Sequence, residues 1–317
     1  MCDVLSIKEF AEKVKEGLAS YLPEEFRDVE MEIVEIPENN GTVRTGLLLK
    51  KPEAKIEPIL NLNVLYRKYQ STECDMEKIF DVAAKAYVSE VEKHRDFVAM
   101  YENAGKILSS FERAKTGIIF TLVYAEKNAE LLKECPHRII ADMAVIYKLL
   151  LHGAENVLGT ITIKNEHLNQ FGVDEETLYS LAQVNTPSLL PFHFVPSDDV
   201  IAKLATVSFG EDSEEVKEIL NDGCSGTLIL TNRECMEGAS VILYPGLLKS
   251  LEGMFGKLYI IPSSTEEVML FPACYMENDF DGWKDLVRRT NDNLVDADKV
   301  LSYHIFRVSQ DGLIEAV

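Results

Sequence analysis

No glycine-rich phosphate loop, paired-histidine zinc helix, nucleophile elbow or CxxC dithiol occurs anywhere in the chain. Each of those strings carries a mechanism. Their joint absence removes the commonest nucleotide, zinc-protease, serine-hydrolase and dithiol readings. Tryptophan occurs once, and positive charge is scarce: Lys and Arg number 32 against 53 Asp and Glu, a net charge of −21. A field of that sign repels phosphate backbones and anionic membrane surfaces, and it favours basic partners. No basic patch interleaved with aromatics is present, so direct nucleic-acid binding is the least favoured of the binding readings.

Clustered cysteines are also missing. Cys2, Cys74, Cys135, Cys224, Cys235 and Cys274 are scattered, and the closest pair is Cys224 and Cys235. A structural zinc usually takes ligands in pairs a few residues apart, and a disulfide framework belongs to short secreted chains. The six thiols therefore read as reduced, in a cytoplasmic protein. None of His94, His137, His152, His167, His193 and His304 forms an HxH or HxxxH pair. His152 with Glu155 comes nearest to ligand spacing, which is a weak signal for a metal. No cofactor and no metal are implied. The amino terminus lacks a basic region followed by an apolar stretch. The longest uncharged window, Thr177 to Ser197, holds Pro187, Pro191 and Pro196, which a bilayer-spanning helix would not accept. The expectation is a soluble protein with no membrane partner.

What is present is an ordinary globular composition, 46% hydrophobic and 27% charged, over 317 residues. That length holds one large domain or two ordinary ones. Ser6 and Glu9 have capping-box spacing ahead of Ile7, Phe10, Val14 and Leu18, which recur at three and four residues and predict a helix ended by Pro23. Residues 29–36 and 45–50 read as strands joined at Asn39-Asn40-Gly41, because Asn and Gly tolerate positive φ. A third extended segment over 58–63 leads to a helix holding Leu65, Tyr66 and Tyr69, and residues 75–91 and 97–113 read as helix. Gly117 to Tyr124 is a continuous β-branched and aromatic run, the pattern of a strand covered on both faces. Two strands follow across Ala141-Asp142.

The second half predicts a strand over 159–163, a helix capped by Asn165, another from Asp174 to Val184, and then a Pro-rich crossing loop. Strands follow at 227–230, 241–243, 258–261, 268–272 and 302–308. Helices are predicted over 246–254 and around Trp283, Leu286, Val287 and Leu294. Strands and helices mix without steady alternation. That favours an α+β fold with largely antiparallel sheets flanked by helices, in two packed lobes over 1–155 and 156–317 or one compact unit.

Candidate chemistry is thin. Asp142 is a carboxylate in an apolar stretch, and an Ala-Asp pair between strands is more often a turn. Ser263, Ser264, Thr265, Glu266 and Glu267 sit between two apolar strands and can line a polar pocket, although a serine nucleophile needs a base and no histidine is near in sequence. Asn185 and Asn291 are candidates to complete that pocket. Arg288 and Arg289 can clamp an anion, with internal ion pairing the better reading in so acidic a chain.

Asn39-Asn40-Gly41 followed by Arg44-Thr45-Gly46, then Glu57-Pro58-Ile59 and Tyr66-Arg67-Lys68-Tyr69, resembles an uncharacterised family of acidic proteins of similar length from gut Firmicutes, classed as a domain of unknown function. Ala182 to Thr186, Ile261 to Ser264, Arg289-Thr290-Asn291 and Val300 to Ser302 extend the resemblance along nearly the whole chain. In similar sequences a His-Glu pair often follows the Pro-Ser-Ser; here Thr265, Glu266 and Glu267 stand there. The resemblance implies no activity, ligand or catalytic residue. From charge and the empty motif search, the leading expectation is a non-enzymatic interaction protein docking a basic protein partner. A hydrolase with a site assembled from distant residues, and a nucleic-acid mimic acting on a nucleic-acid-binding protein, are the alternatives.

Overall fold

The computed structural model describes residues 4–26, 29–50, 59–72, 75–153, 158–196, 228–273, 280–309 and 314–316. They divide into two compact units, Met1–Lys106 with Leu151–Gly159, and Ile107–Leu150 with Thr160–Val317.

In the first unit, helix α1 (Ile7–Gly17) starts with the predicted reciprocal cap: Glu9 N–H donates to Ser6 Oγ, and Ser6 N–H donates to Glu9 Oε2. Strands β1 (Glu30–Pro37), β2 (Val43–Lys50) and β3 (Ile59–Asn61) form an antiparallel sheet in that order. Its first turn holds Asn40 at φ 60° and Gly41 at φ 67°, as the Asn-Asn-Gly string requires. Period-two alternation sends Leu47 and Leu49 inward. There they meet Phe10 and Val14 of α1, Leu18 just after it, Leu65 and Tyr69 of α2 (Leu62–Ser71), and Ile79, Ala83 and Tyr87 of α3 (Met76–Leu108). Helix α3 runs unbroken from Met76 to Leu108, joining the segments 75–91 and 97–113 that the sequence reads as continuing helix.

The second unit carries two sheets. The first orders β4 (Ile118–Tyr124), β6 (Met143–His152) and β5 (His137–Ile140), and β7 (Leu158–Thr162) also pairs with β6. The second has six strands in the order β13 (Ile314–Ala316), β12 (Phe306–Val308), β10 (Leu258–Ile261), β11 (Val268–Pro272), β9 (Leu228–Asn232) and β8 (Phe192–Pro196), with antiparallel neighbours throughout. Ile118, Phe120 and Leu122 of β4 and Met143, Val145 and Tyr147 of β6 share one core with Leu228, Leu230, Leu258, Ile260, Val268 and Leu270 of the six-stranded sheet. The opposite face of that sheet buries Ile229, Ile261, Met269 and Phe271 against Val287 and Trp283 of helix α9 (Phe280–Asn293). Burying each such side chain contributes roughly 1.5–3 kcal/mol. The class is α+β, with mostly antiparallel sheets, as the sequence suggested.

Shorter helices complete this unit: α4 (Phe111–Ala114), α5 (Ala129–Glu134), α6 (Asn165–Phe171), α7 (Glu175–Leu189) and α8 (Leu247–Phe255). Four expectations need correction. Residues 241–243 are no strand but the end of a 3-10 helix over Gly238–Leu243, since a short apolar run does not by itself distinguish the two. Helix α7 continues through Pro187 to Leu189, where a crossing loop was expected. Phe120 N–H donates to Thr186 Oγ1 at 3.1 Å and Leu190 N–H to Thr186 O at 2.8 Å, and these bonds hold the last turn. Asn165 is the first residue of α6 rather than its cap, and its amide donates to Lys133 O. The strand expected over 302–308 shortens to Phe306–Val308, because the residues before it are bound to other partners.

Candidate functional site

Residues 299–304, just ahead of β12, are fastened atom by atom to three distant parts of the second unit. Thr265 N–H donates to Lys299 O at 2.9 Å, Leu301 N–H donates to Ser263 O at 3.1 Å, and Ser264 bridges to Val300. Asn291 of α9, only 2% exposed, donates its side-chain amide to Ser302 O at 2.8 Å. Ser302, fully buried, donates its hydroxyl to Asp142 Oδ2 at 2.7 Å and accepts from His304 N–H at 3.0 Å. His304 Nδ1 lies 2.9 Å from the same carboxylate oxygen, while its ring stays half exposed.

Asp142 occupies the two-residue turn of the β5–β6 hairpin, where Ile140 faces Met143. Its neighbour Ala141 adopts φ 56°, a left-handed conformation that costs a residue with a Cβ roughly 1–2 kcal/mol. The turn expected from Ala-Asp is therefore real, and the carboxylate projecting from it carries the network. Asp142 Oδ1 and Asn291 Oδ1 are buried with no hydrogen-bond partner among the described residues. Ala125 N–H donates to Asp142 O at 3.0 Å, so the turn lies beside the end of β4. Tyr124 closes that strand, its ring centroid 6.3 Å from that of Tyr303. Tyr124 donates to Glu126 at 2.9 Å and Tyr303 to Asp292 at 3.1 Å. Burial, then the Glu126 hydrogen bond and the charges of Glu126 and Asp142, push the Tyr124 phenol up to about 12.

Two further polar clusters flank this one in the fold. Arg138 of β5 makes a bidentate pair with Glu175, reaches Glu176 at 2.7 Å, and lies 3.6 Å over the Tyr179 ring. Tyr147 also donates to Glu175. Burial alone would raise the Glu175 carboxyl, but the bonds from Arg138 and Tyr147 and the Arg138 charge hold it below its ordinary value. The second cluster is a near-buried ion pair between Lys148 and Glu237, with Thr121 Oγ1 donating to the same carboxylate at 2.5 Å. Glu237 has φ 53°, and it precedes Gly238, whose α-carbon lies tight against Thr231 Oγ1 and Glu266 O.

The family model for DUF5688, a family of unknown function, matches residues 7–309. The chain belongs to that family. No curated protein and no solved structure matches it. Of the candidate polar residues, the structure brings the Ser263–Glu267 loop and Asn291 to one segment, 299–302. Ser263 and Ser264 are nearly buried. Ser264 Oγ accepts from the Glu266 and Glu267 amides, which shapes a turn, and no histidine bonds either serine among the described residues. Glu266 pairs with Lys299 at 2.7 Å. Burial and the neighbouring Glu266 charge raise the Glu267 carboxyl. Asn185 lies elsewhere, donating to Lys115 O and Ile118 O, where it ties α7 to β4.

Arg288 pairs with Asp285 on the exposed face of α9, the internal pairing expected of it. His152 is an exposed strand end, and Glu155 lies outside the described residues, as do Cys2, Cys74, Cys224 and Cys274. Cys135 is a buried free thiol raised by that burial, and Cys235 an exposed one. No cluster of metal-ligating residues exists among the described residues. None of their helices is long and apolar enough to cross a membrane. Sequence reasoning missed His304, Ser302 and the tyrosine pair. A periodicity of two made 302–308 a strand, and nothing local marks a residue whose partner is 162 positions away.

Proposed function

We propose that this DUF5688 protein is a non-enzymatic cytoplasmic interaction protein whose acidic surface docks a basic protein partner. The observation that carries this reading is how its few cations are used. Arg44, Lys50, Lys85, Lys133, Arg138, Lys148, Lys164 and Lys299 each pair with an acid of the same chain. With these cations paired internally, the acids remain in excess, at a net charge of −21 over the full chain. Exposed pairs of this kind add little stability, so their main effect is to neutralise the cations and leave a field of one sign. Scattered free thiols fit a reducing compartment.

Capture from native lysate at low and high salt tests the reading. A basic protein should be enriched at low salt and released at high salt. Reversing exposed acids Glu30, Glu32 and Glu35 of β1, and separately Asp281, Asp285 and Asp292 of α9, should weaken capture in at least one case. Capture unchanged by both reversals would refute it.

The hydrolase reading keeps one specific support, the His304–Asp142 pair. In its Nδ1–H tautomer His304 is oriented by a carboxylate and presents its other nitrogen outward, the arrangement of a general base. A hydrolytic activity on an ester or amide panel, abolished by His304→Gln with the thermal transition retained, would establish that reading. Activity persisting in H304Q would remove it.

A further inference from the structure

Two clusters of the second unit set tyrosine rings beside carboxylates, and among the described residues only the first holds an arginine. In the first cluster the Arg138 guanidinium lies between the Glu175 and Glu176 carboxylates and the face of Tyr179, with Tyr147 donating to the same carboxylate. The second cluster is at the other end of the same hairpin. The Tyr124 and Tyr303 rings lie tilted against each other there, their hydroxyls donating to Glu126 and Asp292, and the Asp142 charge reaches the Tyr124 phenol. Among the described residues no lysine or arginine pairs with Glu126, Asp142 or Asp292. In the same network the buried Asn291 Oδ1 and Asp142 Oδ1 are acceptors without a donor among the described residues.

We propose that Tyr124, Tyr303 and Asp142, with Glu126 and Asp292 at the rim, form the anchor site for an arginine side chain of a basic polypeptide. This names the contact through which the docking reading above operates, and it rests on that reading. The chemistry selects arginine over lysine. A planar guanidinium stacks on an aromatic face and offers five donors in a fixed fork, whereas an ammonium is a compact, strongly hydrated charge. A tyrosine pair and three carboxylates ask for both properties at once. The raised Tyr124 phenol reports the same negative field, since Glu126 and Asp142 are among its causes. His304 and Ser302 both contact Oδ2 of Asp142 and hold the carboxylate in place.

The test is titration of the full chain with N-acetyl-argininamide, read by NMR of labelled tyrosine rings, beside the lysine and citrulline analogues. Saturable shifts at Tyr124 and Tyr303 are expected with the arginine probe, at least tenfold weaker binding with lysine, and none with citrulline, which has the shape without the charge. Tyr303→Leu and the double change Glu126→Gln with Asp292→Asn alter partly or fully exposed side chains. Each should weaken the arginine probe at least tenfold while the thermal transition stays in place. Equal binding of citrulline and arginine, or tyrosine shifts that persist in both variants, would overturn the anchor. So would the absence of any saturable shift in the wild-type chain. Salt-sensitive capture that survives alongside such a failure would leave the docking reading standing; loss of both would end both.

Discussion

Gly238→Ala is the sharpest probe of how the second unit is assembled. A Cβ at this position would lie 2.0 Å from Thr231 Oγ1 and 2.1 Å from Glu266 O, the second being backbone. No rotamer change relieves a clash with a carbonyl, so the loop after Ser264 or the turn holding Glu237 must move. Overpacking of this kind costs about 1–3 kcal/mol. The displaced pair also share a hydrogen bond, Thr231 Oγ1 to Glu266 O at 2.8 Å, and losing it adds about 0.5–1.5 kcal/mol. The expected destabilisation is about 1.5–4.5 kcal/mol, a fall of roughly 3–18 °C in Tm for a unit of this size. The only tryptophan, Trp283, packs edge-on at 4.8 Å against Phe271 in this unit, so its fluorescence in a denaturant titration reports the transition directly. Adding Thr231→Ala should restore only part of the loss, because the contact with the Glu266 carbonyl remains. A change below about 0.5 kcal/mol, or complete rescue by Thr231→Ala, would refute the reasoning, since a surface site tolerates such substitutions within that margin.

The other predictions concern charge and backbone strain. At Glu237, replacement by Ala removes the carboxylate from a near-buried Lys148 and keeps the left-handed strain, while Gly removes both. Equilibrium unfolding should find Glu237→Gly more stable than Glu237→Ala by about 1 kcal/mol, with both below the wild type. In acid, Glu175 should matter because its folded-state carboxyl is held below the ordinary value. It contributes stability above the unfolded carboxylate pKa of about 4.3, and that contribution disappears as pH falls through the lower folded value. Stability measured from about pH 6 down to about pH 3 should fall less steeply in Glu175→Gln than in the wild type. In base the sign reverses. Tyr124 titrates from an unfolded value near 10 to about 12 when folded, so its contribution is intact below 10 and lost between the two. Phenolate absorbance should show a late-titrating group that Tyr124→Phe removes.

Local structure was legible where a residue's reason lies within a few positions of it. The Ser6–Glu9 cap, the Asn40-Gly41 turn, the covered strand Ile118–Tyr124 and the β5–β6 hairpin all follow from short-range rules of capping, φ preference and alternation. Where tertiary bonds decide, pattern reading fails. Pro187 ends a helix by local rules, yet α7 passes through it because Thr186 and Asn185 are bonded to β4 and the residues before it. Residues 302–305 alternate like a strand, but Ser302 and His304 are turned toward Asp142. Of the candidate site, the Ser263–Glu267 loop and Asn291 could be picked out as polar residues in apolar surroundings. The tyrosine pair could not, since aromatic residues on strands usually mean core.

The bond between Ser302 and Asp142 spans 160 residues of chain. During synthesis at about 5–20 residues per second, the β5–β6 hairpin has many seconds to fold before residue 302 leaves the ribosome. Through that interval the Asp142 carboxylate is solvated and Ala141 bears its left-handed strain without the contacts that later hold the turn. The proposed arginine anchor, which needs Asp292 and Tyr303 as well as Asp142, is therefore incomplete on a nascent chain that has not reached residue 303.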